Sequence, residues 1–167
     1  YGNLFVRTDI LEKCGDYINI IEVKAKSWDE TVDSFYARGT DDEVNHAMIE
    51  YVYDVAFQKY VVQNALGCDV RGYLMLINTN KPCDIDGLNA MVRINTKTQQ
   101  VDVSGLDKYM PSTNEDDWLL LPCDMDVVCD AIIAGATTEQ AEFMGATFTD
   151  YVDKLVKALQ NDTPLQP

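Results

Sequence analysis

Tyr17-Ile18-Asn19-Ile20-Ile21-Glu22-Val23-Lys24-Ala25 is the stretch on which the fold turns. Isoleucine and valine dominate it, and β-branched residues favour a strand. The preceding Leu4 to Glu12 also alternates and is rich in β formers. Between them Lys13-Cys14-Gly15-Asp16 carries turn residues, so the two strands are expected to form a hairpin. Successive side chains in a strand point to opposite faces, which puts Glu22 and Lys24 on one face. If the turn pairs Glu12 with Tyr17, Asp9 stands opposite Ile20 and diagonal to Glu22, about 7–8 Å away. A slip of one residue would move Asp9 to the other face.

Outward from the hairpin, Lys26 to Asn45 reads as a loop or a short irregular helix; its length is that of a functional loop. Ala47 to Leu66 reads as a helix that ends at Gly67. Val70 to Asn78 is apolar enough for a buried strand, so strand, helix and strand form a crossover unit. Leu88 to Val103 reads as a strand or hairpin around Met91, Val92 and Ile94. A loop from 105 to 122 contains Pro111 and Pro122. Asp124 to Ala134 and Thr138 to Gln160 read as helices, and Asn161 to Pro167 as an unstructured tail. The expected class is α/β, a mixed sheet flanked by helices in one domain. Residues 1–80 would form its core, and 81–167 would add a strand or hairpin and C-terminal helices.

Composition narrows the function classes. The chain has 167 residues, 47% hydrophobic and 25% charged, which suits a globular domain. No stretch reaches the roughly 18 apolar residues of a membrane span, so no membrane partner is expected. The N-terminus lacks a basic region followed by an apolar one. It begins Tyr1-Gly2-Asn3 and runs straight into the alternation, which reads as part of a longer protein. The five cysteines, Cys14, Cys68, Cys83, Cys123 and Cys129, are scattered. They suit a reducing, cytoplasmic setting, and without a C-x2-C pair a zinc site or iron–sulfur cluster is not expected. The net charge of −15 opposes a phosphate backbone. Its late excess, Asp102, Asp107, Glu115, Asp116, Asp117, Asp124, Asp126 and Asp130, reads as a solvated surface.

The chemistry lies in the hairpin and the helix. Two carboxylates beside an ammonium can hold Mg²⁺, activate a water and stabilise a phosphate; the alternative is an exposed Glu-Lys pair on a hairpin edge. On the helix, Tyr51, Val55, Gln58, Val62 and Ala65 fall on one stripe. Gln58 is its polar member, and a buried amide needs partners. A carboxylate or a metal-bound water would supply them, as would backbone groups at the stripe's edge. Asp54 lies one turn before Gln58 and flanks the same site.

Asp9-Ile10-Leu11, Ile21-Glu22-Val23-Lys24 and Asp54-Val55-Ala56-Phe57-Gln58-Lys59-Tyr60-Val61, followed by Gly72-Tyr73-Leu74-Met75-Leu76-Ile77-Asn78, resemble the RecB-like branch of the PD-(D/E)XK nuclease superfamily. That branch includes the CRISPR-adaptation exonucleases; a bacterial family known only as a domain of unknown function has the same order of motifs. The resemblance covers Leu4 to about Asn80. It implies a restriction-endonuclease-like core and a Mg²⁺- or Mn²⁺-dependent DNA nuclease working within a larger bacterial protein. It makes Asp9 and Glu22 metal ligands together with the backbone carbonyl of Val23. Lys24 becomes the catalytic lysine, and Gln58 the supporting residue with Tyr60 close by. The family's helix before the first strand, with its further Glu or His, has no counterpart here, and the cysteine cluster of many relatives is not reproduced. An inactive module of the same fold, binding nucleic acid or protein, is the alternative. His46, the one histidine, matches no motif position and reads as a loop or helix-start residue.

Overall fold

The computed structural model describes residues 1–83, 85–105, 113–114, 118–140 and 145–163. Its elements are β1 (Ile10–Cys14), β2 (Tyr17–Trp28), α1 (Ile49–Leu66), β3 (Asp69–Asn78), α2 (Leu88–Met91), β4 (Val92–Ile94), β5 (Val101–Val103), β6 (Leu120–Asp124), α3 (Asp126–Ile133) and α4 (Phe148–Gln160). Four strands form a sheet in the order β1-β2-β3-β6, and β4 pairs with β5 in a separate hairpin. β1 and β6 run antiparallel to their neighbours, whereas β2 and β3 are parallel across the α1 crossover. The protein is therefore α/β, with a mixed sheet flanked by helices. No helix among the described residues is long and apolar enough to cross a membrane.

The hairpin turn is tighter than the sequence reading. Gly15 adopts φ 64°, so Gly15-Asp16 suffices as a two-residue loop and Cys14 pairs with Tyr17. The register is thus two residues away from a Glu12–Tyr17 pairing. Continued one step past the Ile10–Ile21 pair, it sets Asp9 opposite Glu22 rather than Ile20. Asp9 itself precedes the ladder, which begins at Ile10. The first strand is shorter than expected, because only Ile10–Cys14 joins the ladder.

Alternation along β2 and β3 sorts the sheet's two faces. Ile18, Ile20, Val70, Leu74 and Leu76 are buried beneath α1 and α3, where they meet Val52, Val55, Val128 and Ile132. Gly72 lets α1 come this close: a Cβ there would lie 2.9 Å from Val55 Cγ1. α1 is buried on more than one side, with Lys59 and Val61 covered as well as Val55, Gln58 and Val62. The expected stripe is therefore broader than one face, and its last member, Ala65, is exposed.

Two expectations in the C-terminal half fail. The loop 105–122 contains the start of an edge strand, β6, in which Pro122 pairs with Met75. Proline is tolerated there because an edge strand leaves one row of N–H groups unpaired. The helix expected from Thr138 to Gln160 is interrupted. Thr147 is extended at φ −66°, ψ 160°, and caps α4 by accepting from the Asp150 N–H; residues 141–144 of that expectation lie outside the described residues. Before the break, Gln140 is buried, donates to the Ile132 carbonyl and accepts from the Phe148 N–H at 2.7 Å. Glu139 is buried too, accepting from the Tyr53 hydroxyl at 2.8 Å and the Val44 N–H at 3.2 Å.

Candidate functional site

Glu22, Lys24 and Lys26 alternate along the helix-facing side of β2. Above this row, α1 presents Tyr51, Asp54 and Gln58, spaced by three and four residues on one helix face. The Glu22 carboxylate is buried and uses both oxygens: Oε1 accepts from Lys24 Nζ at 2.6 Å, and Oε2 from Gln58 Nε2 at 2.8 Å. Asp54 closes the ring, its Oδ2 3.2 Å from Lys24 Nζ and its Oδ1 accepting from Gln58 Nε2 at 3.1 Å. The amide on the apolar stripe thus finds its partners in two carboxylates.

The depth of the groups is graded. Glu22 is 8% exposed and Gln58 5%, whereas the Lys24 side chain is 27% and that of Asp54 41% exposed. The hydrogen bond to Glu22 raises the Lys24 pKa above its ordinary value; burial opposes this and Asp54 assists. The ammonium is held charged at the mouth of the ring, and Lys24 Nζ and Lys26 Nζ lie 6.0 and 5.6 Å from the Tyr51 ring centroid.

Asp9 is exposed, and its Oδ2 accepts from the Val23 N–H at 3.0 Å. The structure therefore brings Asp9, Glu22, Val23, Lys24 and Gln58 into one neighbourhood and adds Asp54 as the residue joining Lys24 to Gln58. The i, i+4 spacing of Asp54 and Gln58 was the signal for it. Tyr60 goes elsewhere: its ring packs edge-on against Tyr1 and Phe148, with centroids 6.2 and 5.9 Å away. Two residues after Gln58 it points round the helix, since i and i+2 do not share a face. His46 occupies the turn before α1.

Among the described residues, no three His, Cys, Asp or Glu side chains are gathered closely enough to hold a metal ion. In this arrangement the Lys24 ammonium is the cation between Glu22 and Asp54. The oxygen donors nevertheless suit a hard ion that keeps several waters. Asp9 is held at the Val23 N–H, one residue from Glu22, and each carboxylate oxygen retains a further lone pair. Val23 is the last residue before the β2–β3 register shifts, so the ladder breaks where its carbonyl would ligate. Such irregularities are frequent beside active sites.

A second charged cluster lies deeper and was not read from the sequence. Lys59 is 3% exposed and reaches Asp126 at 3.0 Å and Asp130 at 2.7 Å. Asp126 Oδ1 also accepts from the Gly72 N–H at 2.7 Å. These two aspartates are thus not merely solvated surface: they tie α3 to α1 and β3. Asp107, Glu115, Asp116 and Asp117 lie outside the described residues. All five cysteines are free, and Cys129 packs in the core, where burial pushes its thiol up to about 12.

No protein family, no curated protein and no solved structure matches the chain.

Proposed function

We propose that the protein is a metal-dependent DNA nuclease domain with a restriction-endonuclease-like core of the PD-(D/E)XK, RecB-like kind. In this reading it hydrolyses phosphodiester bonds as part of a larger bacterial protein. The observation that carries this reading is the closed set Glu22–Lys24–Asp54–Gln58, with Asp9 bonded to the Val23 N–H beside it. An exposed Glu-Lys pair on a hairpin edge would need no buried amide and no second carboxylate.

Each side chain has a distinct task. Lys24 has three donors, of which two are engaged by Glu22 and Asp54. The third is free to meet a phosphate oxygen or to orient the attacking water. Gln58 fixes the Glu22 carboxylate, and Asp54 is a positioning residue that keeps the lysine and the amide aligned. Mg²⁺ or Mn²⁺ would be held by Asp9, Glu22 and the Val23 carbonyl, and when bound it supplies an acidified water and neutralises phosphate charge. Lys26 and the Tyr51 ring flank the mouth, giving a local cation and a stacking surface on a chain whose net charge is −15.

That charge favours a second reading: a non-catalytic module of the same fold that binds nucleic acid or protein. Cleavage of single- and double-stranded DNA with Mg²⁺ or Mn²⁺ separates the two, run beside Lys24→Ala in the full-length protein. The nuclease reading expects cleavage that Lys24→Ala lowers by about 100-fold or more. Equal cleavage by both proteins, or none by either, defeats it.

A further inference from the structure

The sheet face turned away from α1 carries a groove of about 780 Å³, distinct from the Glu22–Lys24 face. Its floor is Ile21, Tyr73 and Met75, adjacent side chains of β2 and β3 on the side opposite Glu22 and Leu74. Two exposed carboxylates belong to its lining, Glu12 beside the hairpin turn and Glu30 two residues past the end of β2. Asn19 and Trp28 pair with Arg71 and Asn78, a span of about 23 Å along β3 at about 3.3 Å per residue, because β2 bulges between Val23 and Ser27.

One atom in the lining is unexplained by the fold. Asn19 Oδ1 is buried and accepts no hydrogen bond among the described residues. Its orientation is set by its other end, because Nδ2 donates to Glu12 Oε2 at 2.9 Å and to Cys14 Sγ at 3.4 Å. Turning the amide over would bring its oxygen against the Glu12 carboxylate. Asn19 Oδ1 is therefore fixed in orientation without a donor among the described residues.

We infer that this groove is a docking site for an extended, basic peptide segment of a partner protein. A strand-like segment alternating apolar and cationic side chains matches the apolar floor and the carboxylates. The apolar residues cover Ile21, Tyr73 and Met75. Arginine or lysine side chains meet Glu12 and Glu30, and the field of a −15 chain draws such a segment in. Lys81 also lines the groove and leaves the acidic groups in the majority. A simple polyamine offers charge and donors but nothing to cover the apolar floor. The inference stands apart from the nuclease reading and survives or falls without it.

The experiment is calorimetric titration of the full chain with a blocked hexapeptide alternating arginine and valine. Spermine and the corresponding glutamate–valine peptide are titrated in parallel. The inference expects saturable one-to-one binding of the arginine peptide, none of the glutamate peptide, and spermine weaker by about tenfold or more. Met75→Lys, which puts a cation on the floor, should weaken the arginine peptide by about tenfold or more. The double variant Glu12→Gln, Glu30→Gln alters only exposed side chains; it should weaken binding similarly and serves if Met75→Lys does not fold. Absence of saturable binding, equal binding of spermine, or unchanged affinity in the folded variants overturns the inference.

Discussion

Replacing Gly72 by alanine tests whether α1 sits on β3 as closely as the site requires. The added Cβ would lie 2.9 Å from Val55 Cγ1 and 3.6 Å from Cys129 Sγ. Real Cβ contacts are essentially never that short, so α1 or β3 must give way by several tenths of an ångström. Overpacking of this kind costs about 1–3 kcal/mol. Alanine loses less backbone entropy than glycine on folding and returns about 0.5–1 kcal/mol. The net expectation is a destabilisation of about 1–2 kcal/mol. Val55→Ala removes the obstructing methyls and costs about 2 kcal/mol alone, from the transfer of two methyl groups and the space they leave. In the double variant the new methyl moves into that space. The two losses should therefore fall short of additivity by about 1 kcal/mol or more. Urea unfolding of the four proteins measures this, provided the m values agree. Strict additivity, within the ~0.5 kcal/mol seen for distant sites, would refute the close contact. Gln58 follows Val55 by three residues on the same helix face, so Gly72→Ala should also disturb the Glu22–Gln58 bond.

Lys59→Ala strips two aspartates of a buried cation and should cost about 3 kcal/mol in urea unfolding. Asp130→Asn, at the exposed partner, should cost under about 1 kcal/mol, and the reverse order would contradict the assignment. Alkaline stability has a definite sign. Burial and the bond to Glu139 hold the Tyr53 phenol above 10.0, and burial lifts Cys129 from 9.0 to about 12. The Glu22 carboxylate holds Lys24 above 10.5. All three folded values are raised. Their stabilisation is therefore complete below the unfolded values and is lost as pH rises through the folded ones. Unfolding free energy should fall between about pH 9 and pH 12, and Cys129→Ala should flatten part of that fall. A rise over that range would contradict the burial of these groups.

Much of the site was legible because it depends on local periodicities. Strand alternation put Glu22 and Lys24 on one face whatever the strand's ends, and helix periodicity put Asp54 and Gln58 on one face of α1. The hairpin register was misjudged by two residues because the turn is shorter than the four turn-type residues suggested. The C-terminal half resisted reading because its structure depends on distant partners. β6 contains Pro122, which argues locally against a strand and is admitted only by its place at the sheet edge. Glu139 and Gln140 look like ordinary helix surface, yet they are buried against Tyr53, Val44, Ile132 and Phe148. Asp126 and Asp130 belong to an acidic run whose composition suggests solvent, while a lysine 67 residues earlier pairs with Asp126.

In the proposed nuclease site the buried Glu22 carboxylate, held by the Lys24 ammonium and the Gln58 amide, would also take a divalent ion. Calorimetric titration of the protein with Mn²⁺, beside Glu22→Gln, tests this most directly. One saturable site that Glu22→Gln weakens by about tenfold or more agrees with it. Binding that is equal in the two proteins, or no saturable binding in either, contradicts it.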